Sequence, residues 1–400
     1  MANTLVTTDL VAREVLAIAH EKASFIGTIN RQYDKSYFGK GAAHGATLRI
    51  KHPNEYTVRT GRVMQVQDQT ELADTLTVAT QYGVDMRLNS AELSMSNDGF
   101  DQFRRDHIEP AAGRLISTVE SIVLQGATKQ VANMAGTAGT VPGASGDISM
   151  FGTARAKLNQ YLAPTDNRSL QIDSVTMASV VNGAKALFHD GPQVKEAFRE
   201  GYYSRAAGFD WYENERTLSL TNGSDAGGTV NDTVVDGMAS MTVSSLNFVA
   251  GQSFQFGTTS DSGVYAVHPE TKAAYSQLKD FVATAAGTTT LAFSPAFQLA
   301  GAKQNVSALP VNGKAITFFG TASTAYRNAL SYHRDFCVFA TADLPMMADA
   351  ASCTVRTQDG ITVRVWQGSD IRNDELLMRI DILFGYAVVR PEWACRINCT

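Results

Sequence analysis

Residues 100–132 have the sequence FDQFRRDHIEPAAGRLISTVESIVLQGATKQVA, and they carry the clearest helical pattern in the chain. Apolar side chains recur at three- and four-residue steps from Phe100 to Val123, as they do on one face of an α-helix. Roughly 30 residues in a helix reach about 45 Å at about 1.5 Å per residue, which exceeds what a compact domain needs. The pattern therefore predicts one unusually long helix.

The predicted long helix contains a proline in its first third. Pro110 has no backbone N–H to donate and its ring clashes with the preceding turn, so we expect the helix to bend there. Gly113, three residues later, is the second position at which we expect the bend. Two shorter helices that are broken at Pro110 are the alternative.

A short helix and an exposed ribbon are predicted before the long helix. Residues 8–26 place apolar side chains at helical spacing after Thr7 and Thr8, which are candidate N-caps. Residues 48–53 (LRIKHP) and 55–67 (EYTVRTGRVMQVQ) alternate apolar and polar side chains, as the strands of a β-ribbon do. A charged hairpin without a core of its own needs a partner to stay ordered.

The composition changes sharply between about Leu218 and Val311. Thr, Ser, Gly and β-branched residues dominate there and charges almost vanish, whereas mixed α/β patterns lie on both sides of this region. Short apolar runs that are separated by turn residues are typical of a small barrel or sandwich. We therefore predict a β-rich module that interrupts another domain.

Charge and composition indicate a protein that assembles with neighbours. Only 18% of the 400 residues are charged, the net charge is −5, and no run of Lys or Arg stands out. A groove that binds nucleic acid by neutralising phosphates is therefore not predicted. The N-terminus lacks a basic start and no uncharged stretch approaches about 18 residues, so we expect neither a signal peptide nor a membrane helix. The chain is expected to stay in a cytoplasm.

Common catalytic signatures are absent from the sequence, so no catalytic residue and no cofactor are predicted. Gly313-Lys314 lacks both the upstream glycine and the following Ser or Thr of a phosphate-binding loop. The stretch GASGD at 143–147 does not have the spacing of a nucleophile elbow, and Ser276 with Lys279 matches only a short Ser-x-x-Lys pattern that chance explains.

Two cysteines and two pairs of acidic residues are the candidates for metal binding, and each has a simpler explanation. Cys395 and Cys399 have no paired histidines beside them, so free thiols are the expected state. Two acidic pairs could bind calcium but lack the dense oxygen ligands of a recognised loop, so solvated turns are expected there. These pairs are Asp232 with Asp236 and Asp370 with Asp374. No metal site is predicted.

Several stretches resemble one family of viral proteins, the phage P-twenty-two type coat proteins (gene 5 product). GYYSRAAGFDWYENE is similar to the family's axial-domain segment, and four runs in the β-rich region are similar to its inserted domain. Two further runs are similar to the family's C-terminal strands. In order, the segments are 201–215, then GQSFQFG (251–257), GVYAVHPETK (263–272), LKDFVAT (278–284) and LAFSPAF (291–297), then YRNALSYHRDFCVFATADLP (326–345) and RIDILFGYAVVRPEW (379–393).

The resemblance implies an α+β fold of the Hong Kong 97-like major capsid type with an inserted β-barrel-like domain. It divides the chain into an N-terminal arm, an extended loop formed by a β-hairpin, a spine helix with a peripheral domain, the first part of an axial domain, the inserted domain, and the final strands of the axial and peripheral domains. In that order the expected limits are 1–47, 48–82, 83–165, 166–223, 224–310 and 311–400.

The same resemblance implies the function of a major capsid protein of a tailed double-stranded DNA phage. Such a chain assembles with itself as pentamers and hexamers of an icosahedral procapsid, which then matures by conformational change. A scaffolding protein and a portal are expected partners, and packaged DNA is expected nearby without sequence-specific binding. The expected location is the virion capsid, after assembly in the host bacterial cytoplasm. Another virion structural protein, of the tail or a decoration, is the alternative, and a hydrolase is the third.

Charged residues of the ribbon are the candidate contacts between subunits. Arg59, Arg62, Asp68 and Glu71 are expected to form ion pairs with neighbouring copies, and solvated surface charge is the alternative. Pro110 and Gly113 are expected to hold the strain of the spine helix during maturation. Although Lys51 lies near the ribbon, no covalent crosslink between subunits is predicted.

Overall fold

A computed structural model describes residues 8–31, 47–53, 56–67, 73–89, 104–143, 147–183, 205–258, 263–347 and 352–399. The α-helices in these residues are α1 (Thr8–Lys22), α2 (Ser24–Thr28), α3 (Glu109–Lys129), α4 (Ser149–Gln160) and α5 (Ser174–Gly183). A π-helical turn covers Arg104–Ile108, and short 3-10 turns cover Arg334–Phe336 and Pro391–Trp393.

The strands follow one another along most of the chain. They are β1 (Thr47–Lys51), β2 (Ala73–Thr77), β3 (Thr80–Asn89), β4 (Met134–Ala135), β5 (Arg168–Ile172), β6 (Arg205–Ala206), β7 (Phe209–Glu213), β8 (Leu218–Thr221), β9 (Gly227–Thr229), β10 (Ser240–Thr242), β11 (Ser253–Phe256), β12 (Tyr265–Val267), β13 (Ala274–Leu278), β14 (Phe281–Ala283), β15 (Thr290–Ser294), β16 (Ala315–Phe318), β17 (Ala325–His333), β18 (Cys337–Thr341), β19 (Ser352–Gln358), β20 (Ile361–Asp370), β21 (Glu375–Val388) and β22 (Ala394–Asn398).

The first of two compact units comprises Met1–Lys51, Ala73–Val123 and Cys337–Val389. Its main sheet has the antiparallel order β18-β21-β20-β19, and β3 also pairs with β21 along ten residues. Helix α1 packs on β19 and β20 through a buried apolar face, as the helical spacing of its apolar residues requires.

Helix α3 anchors the segment that follows α1. Glu120 is fully buried, and its Oε1 accepts hydrogen bonds from the backbone N–H of Phe25 at 2.7 Å and from Ser24 Oγ at 3.1 Å. The carboxylate therefore caps the start of α2, where backbone N–H groups have no partner within the helix. The sequence predicted one helix over 8–26, whereas the structure has two helices with Ala23 between them.

Helical geometry continues through Pro110. The backbone changes from the π-helical turn to α3 between Ile108 and Glu109, immediately before the proline. Proline has no N–H to donate, so the regular hydrogen-bond pattern must change in the turn before it. Gly113 lies within α3, and the helix ends at Lys129, three residues earlier than predicted. The predicted start near Phe100 lies outside the described residues.

The second unit comprises His52–Leu72, Leu124–Phe336 and Arg390–Thr400. It contains a mixed seven-stranded sheet in the order β4-β22-β17-β5-β7-β6, with β8 also paired to β17. Helices α4 and α5 contribute Phe151, Leu158 and Met177 to its core, where they pack with Trp211, Cys395 and Cys399.

A six-stranded antiparallel sheet in the order β10-β15-β14-β11-β16-β9 follows in the same unit. Its two edges meet through a bridge between Val230 and Val243, and Asn231 N donates to Thr242 O at 3.0 Å beside it. Seven buried phenylalanine rings pack in the hydrophobic core of this sheet: Phe248, Phe254, Phe256, Phe281, Phe293, Phe297 and Phe318. Because β16 belongs to the sheet, its strands extend past residue 310 to Phe318.

The ribbon predicted from residues 48–67 is only partly a ribbon. Strands β1 and β2 pair from Thr47 opposite Thr77 to Lys51 opposite Ala73, but residues 56–67 form no strand. The strand predicted over 55–67 is therefore wrong for the part that the structure describes. Alternating side chains favour a strand only where a sheet or a core lies against one face, and every residue from 56 to 67 is exposed.

Candidate assembly surface

The loop of residues 56–67 carries a row of exposed apolar side chains. Val58 is 96% exposed, and Tyr56, Val63, Met64 and Val66 are each more than half exposed. Large apolar side chains that cluster on a surface usually mark a site where another molecule binds. We call these five residues the loop apolar set.

Local hydrogen bonds hold this loop in shape without a sheet. The side-chain amide of Gln67 accepts from Thr57 N at 2.9 Å through Oε1 and donates to Thr57 O at 2.6 Å through Nε2. Arg59 Nη1 donates to Gly61 O, and Gly61 has a φ of +91°, which favours glycine. The side chain of Gln67 thus joins the two ends of the loop. All of the loop apolar set except Tyr56 lies between Thr57 and Gln67.

The predicted charged contacts fall partly on this loop. Arg59 and Arg62 are exposed, and within the described ranges neither of them forms an ion pair. Asp68 and Glu71 lie outside the described residues. The structure therefore brings the two arginines onto the same loop as the apolar set, which the sequence did not single out. The signal for the loop apolar set in the sequence was a series of apolar residues that fits neither a helix nor a predicted core.

A buried charged network lies in the sheet of the first unit. Asp381 is fully buried, and its two oxygens accept from Arg364 Nη2 at 2.5 Å and from Arg379 Nε at 2.8 Å. The hydrogen bond to Asp381 raises the pKa of Arg379. The three side chains join β20 to β21, so this network stabilises the sheet.

A second buried network lies within the second unit. Arg396 of β22 donates to Gly251 O at 2.7 Å and to Ser253 Oγ at 2.5 Å, and it also donates to Val131 O. Burial lowers the pKa of Arg396 to about 10, so the guanidinium keeps its charge at neutral pH. Nearby, Asp280 forms an ion pair with Lys157 and accepts from Met134 N at 3.1 Å.

The residues considered for metal binding have other roles. Burial raises the pKa of Cys395 and of Cys399 to about 12, which keeps both as thiols. Asp232 and Asp236 accept hydrogen bonds from the backbone N–H of the residue that follows each of them, and Asp232 also accepts from Thr242 N of β10. Across the described ranges, His, Cys, Asp and Glu side chains form no cluster of three that could hold a metal ion.

No described helix is both long enough and apolar enough to cross a membrane.

Comparison with known proteins gives one family and several solved structures. The model of the P22 coat protein (gene protein 5) family matches residues 29–396. No curated protein matches. A solved chain from Mycobacterium phage Che8 is 11% identical with a TM-score of 0.53, and the match covers 94% of this chain and 91% of that one. The capsid of Cyanophage P-SCSP1u is 10% identical with a TM-score of 0.46, over 89% and 84%. The mature capsid of bacteriophage PhiM1 is 12% identical with a TM-score of 0.44, over 88% and 82%.

Proposed function

Because the chain belongs to the P22 coat protein family and is the major capsid protein of a tailed phage, we propose that its copies join through the loop of residues 56–67. The predicted α+β class and Hong Kong 97-like fold are confirmed, and the Che8 likeness supports the fold. Self-assembly into a capsid shell follows from the family. The loop apolar set is the observation that supports this particular contact.

Burial of the loop apolar set would supply the free energy of each contact. Fully burying a Val or Met side chain is worth about 1.5–3 kcal/mol. The five side chains are more than half exposed in the single chain, so most of this free energy is available to a neighbour. A closed shell repeats the same contact many times, and modest contacts then sum to a stable particle. Pentamers and hexamers are the arrangement that we propose for the repeat.

The two exposed arginines of the loop would set its register on a neighbour. Exposed ion pairs contribute only about 0–1 kcal/mol, so Arg59 and Arg62 would contribute orientation more than affinity. We propose that Arg59 and Arg62 pair with carboxylates of the adjacent copy. We also propose that Asp68 and Glu71 are acidic members of such pairs between subunits. The loop apolar set would supply most of the binding.

Maturation would use the start of the long helix. The π-helical turn before Pro110 is a local change of helical geometry, and such turns occur where a helix bends. We propose that the helix straightens or bends at Pro110 and Gly113 as the procapsid matures. The same helix trajectory in precursor and mature shells would contradict this.

The remaining assignments are proposals that rest on the family. The closed six-stranded sheet and its phenylalanine core support residues 224–310 as an inserted domain, which β16 extends to Phe318. The other predicted limits are retained for the arm, loop, spine, peripheral and axial parts. A scaffolding protein and a portal are proposed partners, and DNA a neighbour without sequence-specific binding. We propose assembly in the host cytoplasm and no catalytic role.

Electron microscopy of loop variants tests the proposed contact. The double variant Val58→Ser, Val66→Ser removes apolar surface from the loop, and Val311→Ser removes one exposed valine outside it, 65% exposed in the wild type. With a candidate scaffold, the wild type and Val311→Ser should form shells, whereas the loop variant should stay as folded subunits. Normal shells from the loop variant would overturn the proposal.

A further inference from the structure

A small cavity in the second unit is lined by one face of the seven-stranded sheet. Asn328 of β17 lies directly opposite Asn398 of β22, and Arg396 precedes Asn398 by two residues on the same strand. Side chains that are opposite, or two apart along a strand, lie on the same face of a sheet. All three line the cavity, together with Tyr326 and Ser253.

Each of the three side chains has one buried polar atom without a hydrogen-bond partner. These atoms are Arg396 Nε, Asn398 Nδ2 and Asn328 Oδ1, and the residues are 1%, 2% and 3% exposed. A buried polar atom that lacks a partner costs about 1–3 kcal/mol. Three such atoms around one cavity indicate that a ligand satisfies them.

The surrounding hydrogen bonds fix what Arg396 and Asn328 offer. Nη1 and Nη2 of Arg396 donate to Gly251 O, Ser253 Oγ and Val131 O, whereas Nε is a donor without a partner. Asn328 Nδ2 donates to Tyr326 O at 3.2 Å, so its amide is oriented with Oδ1 as an acceptor. With Asn398 Nδ2, the site presents two donors and one acceptor.

We propose that one ordered water molecule binds in this cavity as a permanent part of the subunit. The water accepts from Arg396 Nε and Asn398 Nδ2 and donates to Asn328 Oδ1, and three hydrogen bonds are usual for a buried water. The cavity volume is about 20 Å³, and about 10–15 Å³ is enough for one water. A halide ion has no proton to donate to Asn328 Oδ1, so the acceptor selects against it.

The position of this water gives it a specific structural role. From β22 of the seven-stranded sheet, Arg396 already donates to Gly251 and Ser253 at the start of β11 in the six-stranded sheet. Through the water, the same guanidinium is also linked to both asparagines of the β17–β22 pair. One buried cation and one water would thus link the β17–β22 pair of the seven-stranded sheet to β11 of the six-stranded sheet. The site is independent of the proposed contact between subunits.

Structure determination of the full chain, at a resolution that shows ordered water, tests the proposal. A peak should lie about 2.7–3.2 Å from all three atoms in the wild type. It should remain in Leu220→Ala, which changes an apolar lining residue, and be lost in Asn328→Leu, which removes the acceptor. An anomalous peak after a bromide soak, no peak in the wild type, or an unchanged peak in Asn328→Leu would overturn it. The wild-type map and the bromide soak decide the question even if Asn328→Leu fails to fold.

Discussion

The carboxylate of Asp381 occupies the space that a side chain at Gly83 would need. The two residues lie opposite each other on β21 and β3, and a Cβ on Gly83 would be 2.4 Å from Asp381 Oδ1 and 3.0 Å from Ile380 O. Real Cβ atoms essentially never show a contact as short as 2.4 Å. Because Gly83 of β3 has no side chain, the carboxylate of Asp381 on β21 has room to form its buried ion pair with Arg364.

Gly83→Ala should destabilise the subunit by about 1–3 kcal/mol, because the added methyl group overpacks a buried site and displaces Asp381 from Arg364 and Arg379. Gly368→Ala is the matched control, since Gly368 lies in β20 of the same sheet and a methyl group added there would meet no other atom within 4 Å. Urea unfolding of both variants gives the comparison. Equal stability of the two would show that Asp381 moves aside without cost.

Glu120→Ala should release the segment that starts at Ser24. The substitution leaves the buried backbone N–H of Phe25 without its acceptor, which should cost about 1–3 kcal/mol in unfolding free energy. Limited proteolysis near α2 should also become faster, because the helix start loses its cap. Arg114→Ala on the exposed side of the same helix is the control and should change neither measurement. Unaltered proteolysis in Glu120→Ala would mean that α2 is held by its apolar contacts alone.

The cysteines should differ in reactivity according to burial. Burial raises the pKa of Cys337, Cys395 and Cys399, the last two to about 12, so almost no thiolate forms at pH 8. Cys353 is only partly buried. Alkylation of the folded chain at pH 8 should therefore modify Cys353 first, and mass spectrometry after proteolysis identifies the site. Unfolded protein should react at all four, and rapid labelling of Cys395 in the folded chain would contradict the burial.

Local periodicity made much of this fold predictable. The helical spacing of Ala111, Leu115, Val119 and Val123 belongs to α3, which buries the face that these residues share. The short runs around Phe254, Phe281 and Phe293 are strands because turn residues separate them, and β11, β14 and β15 lie there. In both cases residues that are close together in the sequence determine the secondary structure, so a local pattern is enough to predict it.

The rest depends on residues that are far apart in sequence. No local pattern shows that Asn328 lies opposite Asn398, since that register is set by pairing across about 70 residues of chain. The same holds for Gly83 and Asp381. The strand predicted over the loop apolar set is wrong for a related reason, because the alternation from Tyr56 to Val66 is the same for a paired strand and for an unpaired loop.

Reversing the loop arginines should impair assembly and leave the subunit folded. Arg59→Glu and Arg62→Glu place negative charge where we propose pairing with carboxylates of a neighbour, so repulsion should replace attraction. Lys303→Glu makes the same charge change at an exposed site of the six-stranded region and should assemble normally. Shell yield by sedimentation, with circular dichroism of the unassembled subunit, gives both readouts. Normal shells from both arginine reversals would refute the role of these residues.

Gln67→Ala should slow assembly without weakening the subunit, because Gln67 fixes the loop by two hydrogen bonds to Thr57 and touches no core. Without that link, the loop apolar set must be ordered at the moment of binding, and each immobilised side chain then adds about 0.5–1.5 kcal/mol to the cost of association. Gln65→Ala is the matched control, since Gln65 is an exposed glutamine of the same loop. Light scattering should show a slower rise for Gln67→Ala alone, while both variants melt at the wild-type temperature. If the two variants assembled equally fast, the hydrogen bonds of Gln67 to Thr57 would not be what orders the loop for binding.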